Sequence, residues 1–508
     1  MVKLGAAFSK IKYLRYNHNN KMSFQTQSGT LSAFSETVPE AAKVGGLTKS
    51  SLLTQRRRCR VVPQTGPSSS PSSQVQFLIS DAGGLLDPRS MVLNYTLVAA
   101  SSGAPTTIAP DDGHPFASVQ TLLNGQLLDN VQNAIKVTNI EATLGGSKSY
   151  YQTAGSFQGF ELLNNDLQSV ALTTVPLSNT TAPAYGSVTN NVASIAARYT
   201  RVAAAPWNQQ AGSQRSIPVG MMTGFGRCKT YIPLAILGEV SLVLQTGSNA
   251  DVMFQYSATQ DATYTLANIS LEYDIVVPDS RYAALLQKVA SEDSGMTIGY
   301  ESTIMATGGV ISASAASLQE SSIITSRATN HLLRASVVQI PSLFLSSLAY
   351  PSQSAFSHAG VFSAQFRVGS QTFPQIACQG DAALFNMSLA AYGAPSNENG
   401  SATNRVLWGQ STNPSTAGTA ATYEDAVSTS GNARFAYADK CIPSYGFATV
   451  KGAAEPLDVD GISLAGASGS QLITSIVSAP ATSYVPYVSM VALRFIRAAG
   501  GTPSVMGA

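Results

Sequence analysis

Apolar and polar side chains alternate over much of this chain. In Leu85–Leu97, Met91, Leu93, Tyr95 and Leu97 alternate with Val92, Asn94 and Thr96. That period of two predicts a strand with one strongly apolar face. Asp87-Pro88 ahead of it predicts a turn, since proline fixes φ and aspartate bonds its own backbone. Gln74–Ser80 predicts an earlier strand, joined by Asp81-Ala82-Gly83-Gly84. Far downstream, Tyr231–Leu244 is expected to answer Leu85–Leu97. Pro233 and Gly238 make it a bent approach followed by a strand, Glu239–Leu244. Pairing between such distant segments is what a Greek-key β-sandwich requires.

Between these stretches, Asn124-Gly125 predicts a tight hairpin within Thr121–Ala134. Ile135–Leu144 continues the strand pattern, Ser149–Asp166 is a helical candidate, and Val170–Pro206 is an elaborated polar loop. Arg215–Met222 and Tyr264–Val277 return to strand. Pro278-Asp279 closes the latter, and Ser280–Ala290 is a short helix with Ser280 as its N-cap. The pattern then restarts. Met296–Ala306, Gly309–Ser317, Leu332–Ile340 and Ser363–Val368 are expected strands. Gly369–Pro374 is a turn and Gln379–Tyr392 a helix. Gly393–Gly431 is a low-complexity loop. Arg434–Tyr437, Ile462–Leu464, Gln471–Val477 and Tyr487–Phe495 close the chain as strands. Two β-rich halves result, roughly 75–280 and 295–500, each with sandwich-like strands, one helix and one long polar loop.

Composition sharpens this picture in one respect. Charged residues make up 11% of the 508, less than half the usual ~25%. Such a neutral, smooth surface suits extensive subunit packing, and a secreted β-rich protein would share it. The charge is uneven. Residues 1–60 hold eleven Lys and Arg against Glu36 and Glu40, so this arm is +9 and the remainder −7 of a total of +2. A basic arm on a mildly acidic body suggests contact with a polyanion or an acidic surface, or a role in solubility or assembly. Within it, Leu4, Phe8, Ile11 and Leu14 have the spacing of a short amphipathic helix over Met1–Tyr16, with a frayed terminus as the other reading. Arg56–Arg60, RRRCR, is the densest basic cluster, and Pro63–Ser73 reads as a linker. Cys59, Cys228, Cys378 and Cys441 are scattered without a CxxC, which fits a reducing compartment. The first thirty residues lack the apolar core of a signal peptide. No run reaches the ~18 apolar residues of a spanning helix.

Candidate chemistry is thin. His18, His114, His331 and His358 lie far apart, with no HxH or HExxH. Asp111-Asp112-Gly113-His114 reads as a turn sooner than a metal site. Leu144–Ser149 lacks the P-loop spacing, and Gly466–Ser470 fails the nucleophile elbow. Trp207 is an interface anchor or a satellite-core aromatic. No catalytic, cofactor-binding or metal-ligating residue is assigned, and no cofactor is expected.

Four stretches in order carry a resemblance. They are FLISDAGGLLDPRSMVLNYTL behind a basic segment, YIPLAILGEVSLVL with ANISLEYDIVVPDSRYAALL, QFRVGSQTFPQ before a helix, and LDVDGISLAGASGSQLITSIV with YVSMVALRFI. Over residues 75–497 this order resembles the major capsid proteins of the double jelly-roll lineage. That lineage takes in adenovirus hexon, tailless membrane-containing phages, virophages, polinton-like viruses and large eukaryotic DNA viruses. The resemblance implies an all-β chain of two consecutive eight-stranded jelly rolls with a few short helices: arm and linker 1–74, first jelly roll 75–290, second 291–508. It implies a non-enzymatic capsid subunit, made in the host cytoplasm and assembled there or in the nucleus into virions. Homotrimers of pseudo-hexagonal outline would tile an icosahedral shell around DNA, beside neighbouring capsomers, penton and minor capsid proteins. The arm would reach the genome, an inner membrane or a neighbour through Lys10, Lys12, Arg15, Arg56, Arg57, Arg58 and Arg60. Two rival readings stay open on the residues alone: a single-jelly-roll capsid or spike protein with an added receptor-binding domain, and a β-sandwich carbohydrate-binding protein or hydrolase.

Overall fold

The computed structural model describes residues 53–145, 213–345, 361–392, 442–447, 461–464, 471–478, 483–499 and 502–506, apart from short interruptions, with residues 154–155, 158–159, 348, 352–353 and 356. Lys10, Lys12, Arg15, Trp207, the Met1–Tyr16 helix, Arg434–Tyr437 and both long polar loops lie outside the described residues, as does nearly all of Ser149–Asp166.

Taken along the chain, the first half holds β1 (Leu53–Val61), β2 (Gln74–Ile79), β3 (Leu85–Ala100), β4 (Ile108–Pro110), β5 (Phe116–Leu123) and β6 (Gln126–Gln132). Helix α1 (Ala134–Gly145) follows, then β7 (Ser213–Pro218), β8 (Ile232–Pro233), β9 (Val240–Thr246), β10 (Met253–Gln255) and β11 (Thr263–Pro278). Helix α2 (Ser280–Ser291) leads to the second half: β12 (Met296–Thr307), β13 (Gln319–Ser326), β14 (Leu332–Pro341), β15 (Val361–Val368) and β16 (Gln371–Gln379). Helix α3 (Asp381–Ala391), β17 (Ser444–Gly446), β18 (Gln471–Ser478), β19 (Tyr484–Ala499) and β20 (Thr502–Met506) complete it. No described helix is long and apolar enough to cross a membrane.

In the first half one sheet runs β1-β11-β3-β7 and the other β2-β9-β5-β6; in the second they run β12-β19-β14-β17 and β13-β18-β15-β16. Numbering the principal strands of each half from one to eight, both halves give the orders 1-8-3-6 and 2-7-4-5. The two sheets of each half meet through the inward residues of alternating strands. Tyr95 of β3 sits edge-on to Phe116 of β5 at 5.7 Å, and Phe366 of β15 edge-on to Phe447 beyond β17 at 6.3 Å. Val75, Phe77 and Ile79 of β2, and Leu93, Tyr95 and Leu97 of β3, are fully buried in this way.

Several elements depart from the sequence expectation. Leu53–Val61, expected in the arm, is a strand of the first sandwich and pairs antiparallel with β11. Its alternation is hidden because Arg56, Arg57 and Arg58 follow one another and so occupy both faces of the strand. Ile135–Leu144 is helix, not strand. Ala134, Val137, Ile140 and Leu144 have helical spacing, and burial on all sides overrides the β-branched residues' local preference. The Glu239–Leu244 segment does not pair with β3. It lies in the opposite sheet between β2 and β5, and of the expected stretch only Ile232–Pro233 pairs with β3. The expected turn at Asp87-Pro88 is a bulge inside β3. Asp87 and Val92 pair with Asp274 and Glu272, and Ser90 Oγ accepts the Asp274 N–H at 2.8 Å. Arg215–Met222 leaves strand at Pro218 for a helical turn. The strand expected at Gly309–Ser317 is found at Gln319–Ser326, and Ile462–Leu464 contributes a single bridge from Ile462 to Leu332. Only Gly369-Ser370 turn; Gln371 onward is strand. The cap of α2 is Asp279, whose carboxylate accepts from the Arg281 N–H, one residue before the expected Ser280.

Candidate functional site

The feature built with most care is the joint between the halves, and α1 forms its centre. Ten of its residues are buried, among them Lys136, Thr138, Asn139 and Thr143. Burying polar groups is unfavourable unless each finds a partner, so this helix has to be met by polar groups on every side.

Residues of both halves supply them. Glu141 Oε1 and Oε2 accept from Arg334 Nη2 on β14, at 2.8 and 3.1 Å. Arg227 Nη2 stands 3.1 Å from Glu301 Oε2 on β12, Arg334 lies 3.7 Å from the same carboxylate, and Arg227 Nη1 is 3.9 Å from Glu141. Two acids and two guanidiniums thus alternate, one of each from either half, with no net charge. Arg334 also lies over the Tyr392 ring, 4.8 Å from its centre. Burial raises the Glu141 carboxyl, but Arg334 and Arg227 outweigh it and hold the acid below its ordinary range.

A second node surrounds Asp129 of β6, whose side chain is fully buried. Its Oδ2 accepts from Thr223 Oγ1 at 2.8 Å and from the Gly224 N–H at 3.3 Å, and its Oδ1 accepts from Ser302 Oγ of β12 at 2.8 Å. Burial pushes this acid up, against those hydrogen bonds and the charge of Arg494. Beside it, Leu128 O accepts from Tyr300 OH at 2.8 Å and from Arg494 Nη1 at 3.2 Å. The Tyr300 ring meets Phe225 edge-on at 6.2 Å.

A third node brings Gln353 onto α1. Its Oε1 accepts from Lys136 Nζ at 2.6 Å, its N–H donates to Asp111 at 2.8 Å, and its Nε2 donates to Asp251 at 2.8 Å. Lys136 lies 4.9 Å from the centre of the Tyr487 ring. His114, from the turn considered as a metal site, is buried between Thr138 Oγ1, at 2.8 Å, and the Phe116 N–H. Among the described residues no cluster of His, Cys, Asp and Glu could hold a metal ion.

Burial pushes the Lys136 ammonium down to about 8, against the pull of Asp251 and Asp111. The folded chain then loses this proton near pH 8, while the unfolded chain keeps it to about 10.4. Between those values the unfolded state binds more protons, so stability rises with pH. Unfolding free energies measured from pH 8 to 9.5 should climb in the native chain and stay flatter in Lys136→Met. Equal slopes in the two proteins would show that Lys136 folds without a shift.

Of the sequence-expected contact residues, Arg56, Arg57, Arg58 and Arg60 lie elsewhere, on β1, and Lys10, Lys12 and Arg15 lie outside the described residues. Arg56 Nη2 reaches Asp87 at 3.0 Å and Asp274 at 2.6 Å, and Arg58 pairs with Glu272 at 3.2 Å and Asp274 at 3.1 Å. Arg57 pairs with Asp81. Arg60 is exposed and makes no ion pair with a described residue. Arg56, Arg57 and Arg58 are therefore occupied by carboxylates of their own chain. All four remain exposed to solvent, and among the described residues Arg60 differs in having no carboxylate partner.

Sequence reasoning missed the joint entirely. Its signal was present as isolated charges inside apolar runs: Asp129 in QLLDNV, Lys136 in AIKV, Arg334 in LLRASVV and Arg494 in ALRFI. In a chain so poor in charge, each such residue needs a partner that local spacing does not reveal.

No protein-family model matches the sequence, and no curated protein matches it. Solved structures do. The Faustovirus major capsid protein aligns over 96% of this chain and 98% of its own, with a TM-score of 0.52 at 9% identity. PBCV-1 VP54, a crystal structure fitted into a reconstruction of the virophage Sputnik, aligns over 92% of this chain and 100% of its own, with a TM-score of 0.52 at 10% identity. The fold is the double jelly roll. At such identities the likeness is one of architecture, and it agrees with the twice-repeated 1-8-3-6 and 2-7-4-5 orders. The joint is thus what fuses one jelly roll to the other, and β1 is the opening strand of the first.

Proposed function

We propose that this chain is a viral major capsid protein, a structural subunit without catalytic activity. The observation that carries this reading is the pair of topologically identical jelly rolls, tied by a buried ionic joint, in an arrangement matched along nearly the whole Faustovirus capsid protein. A joint of that kind suits a building block, because it holds two sandwiches as one rigid unit. The rival reading of one jelly roll with an unrelated second domain loses its basis, since both halves carry the same sheet orders.

On this reading the subunits form homotrimers of pseudo-hexagonal outline. These tile an icosahedral shell around a DNA genome, beside penton and minor capsid proteins, in virions assembled in the host cytoplasm or nucleus. Lys10, Lys12, Arg15 and Arg60 are the basic residues for a genome, membrane or neighbour contact, while Arg56, Arg57 and Arg58 serve first to hold β1. The test is the native mass of the purified chain. Three chains of 52.9 kDa give about 159 kDa, and particle images should show a hexagonal outline. A monomer with a single open groove would reject the capsid reading.

A further inference from the structure

The strand β1 is docked with little apolar burial. Among the described residues it is an edge strand, paired only to β11. None of residues 55–61 is buried, and Cys59 and Val61 only half-cover the core beneath them. The next strand, β2, buries Val75, Phe77 and Ile79 completely. Apolar burial therefore contributes little to docking β1.

Charge takes its place. Asp87 of β3 and Asp274 of β11 are direct cross-strand partners, a like-charge pairing that is unfavourable by itself. The Arg56 guanidinium contacts both carboxylates, and Arg58 adds a contact to Asp274 and one to Glu272. On the other face Arg57 reaches Asp81 in the connection from β2 to β3. The arginine side chains remain half exposed, at 46–53%, and salt weakens exposed charge pairs over a few ångströms at high ionic strength. Beyond β1, residues 62–73 connect it to β2, while residues 1–52 precede it.

We propose that β1 is an ion-held strap: it docks on the β11 edge through Arg56, Arg57 and Arg58 and detaches as a unit while the rest of the first jelly roll stays folded. Segments with few buried apolar contacts open locally at free energies far below global unfolding. Release frees the basic segment and bares the unpaired backbone groups of β11, a ready template for another strand. The inference concerns the chain alone and does not depend on the capsid reading.

Hydrogen exchange followed by mass spectrometry on the full chain tests it, in about 0.05 M and about 1 M NaCl, conditions that take the screening length from above 10 Å to about 3 Å. The β1 amides should exchange roughly tenfold faster in high salt, while those of β2 and β9 hold steady. Strand β16 is the internal control, an edge strand with no charged residue in Gln371–Gln379. Arg56→Gln should give the fast β1 exchange already in low salt, and Arg57→Gln a smaller gain. A β1 response to salt no larger than that of β16 would overturn the proposal. So would β1 exchange that occurs only together with β2 and β9.

Discussion

Glu141→Leu is expected to destabilise the chain by about 3 kcal/mol, through the joint and not through either sandwich core. Removing one member of a buried ion pair typically costs about 3–5 kcal/mol, because the partner charge is left uncompensated. Here the stranded group is Arg334, whose side chain is 17% exposed and whose bidentate contact to Glu141 is its shortest. Glu301 still serves Arg334 at 3.7 Å and Arg227 at 3.1 Å, which holds the loss to the lower end of that range. The double variant Glu141→Leu with Arg334→Met should recover most of the loss, since neither charge is then buried alone. Denaturant unfolding of the three proteins measures this. A single-variant loss below about 1 kcal/mol, the scale of surface pairs, would mean that the joint is wetter and weaker than described. The same pair sets the acid limit. Glu141 is held below its ordinary range, so its contribution is complete above the unfolded value near 4.3. It fades as pH falls through the lower folded value.

Gly224→Ala should have an effect of similar size for a steric reason. A Cβ at Gly224 would overlap the backbone carbonyl of Glu301, and neither atom belongs to a flexible side chain. Strand β12 and the Gly224–Arg227 turn would have to separate. That separation would strain the Gly224 N–H to Asp129 hydrogen bond, the Thr223 contact to the same carboxylate, and the Arg227–Glu301 pair. Overpacking alone costs about 1–3 kcal/mol, and a half-satisfied buried Asp129 adds about 1–3 kcal/mol more. Gly83→Ala is the matched control, because a Cβ there meets nothing within 4 Å. Thermal unfolding of the two variants separates the cases. A Gly224→Ala protein as stable as Gly83→Ala would show that the halves do not approach as closely as this.

Much of the fold was readable before any coordinates. Period-two alternation placed β3 and β11, and strand-like apolar runs placed β12, β14, β15, β18 and β19, the last of these buried on both faces over most of its length. Asn124-Gly125 placed the β5–β6 hairpin, where both residues take positive φ. The order of these elements along the chain was enough to suggest two sandwiches of one kind. Alternation fails where a strand has no buried face, which is why β1 was read as arm. It fails again where an element is buried on all sides, which is why α1 was read as strand.

The set of strands, the doubling of the pattern and the scarcity of charge all follow from the order of residues alone. The tertiary structure decided which strands are neighbours, and with that the use of the few charges. Asp129 meets Ser302, Glu141 meets Arg334, and Lys136 meets Gln353 across separations of 173, 193 and 217 residues. The physical reason is that a strand's burial pattern depends only on local alternation, whereas a buried charge is tolerable only beside a partner. That partner is fixed by sheet order and by the docking of one jelly roll on the other, and no local spacing encodes either.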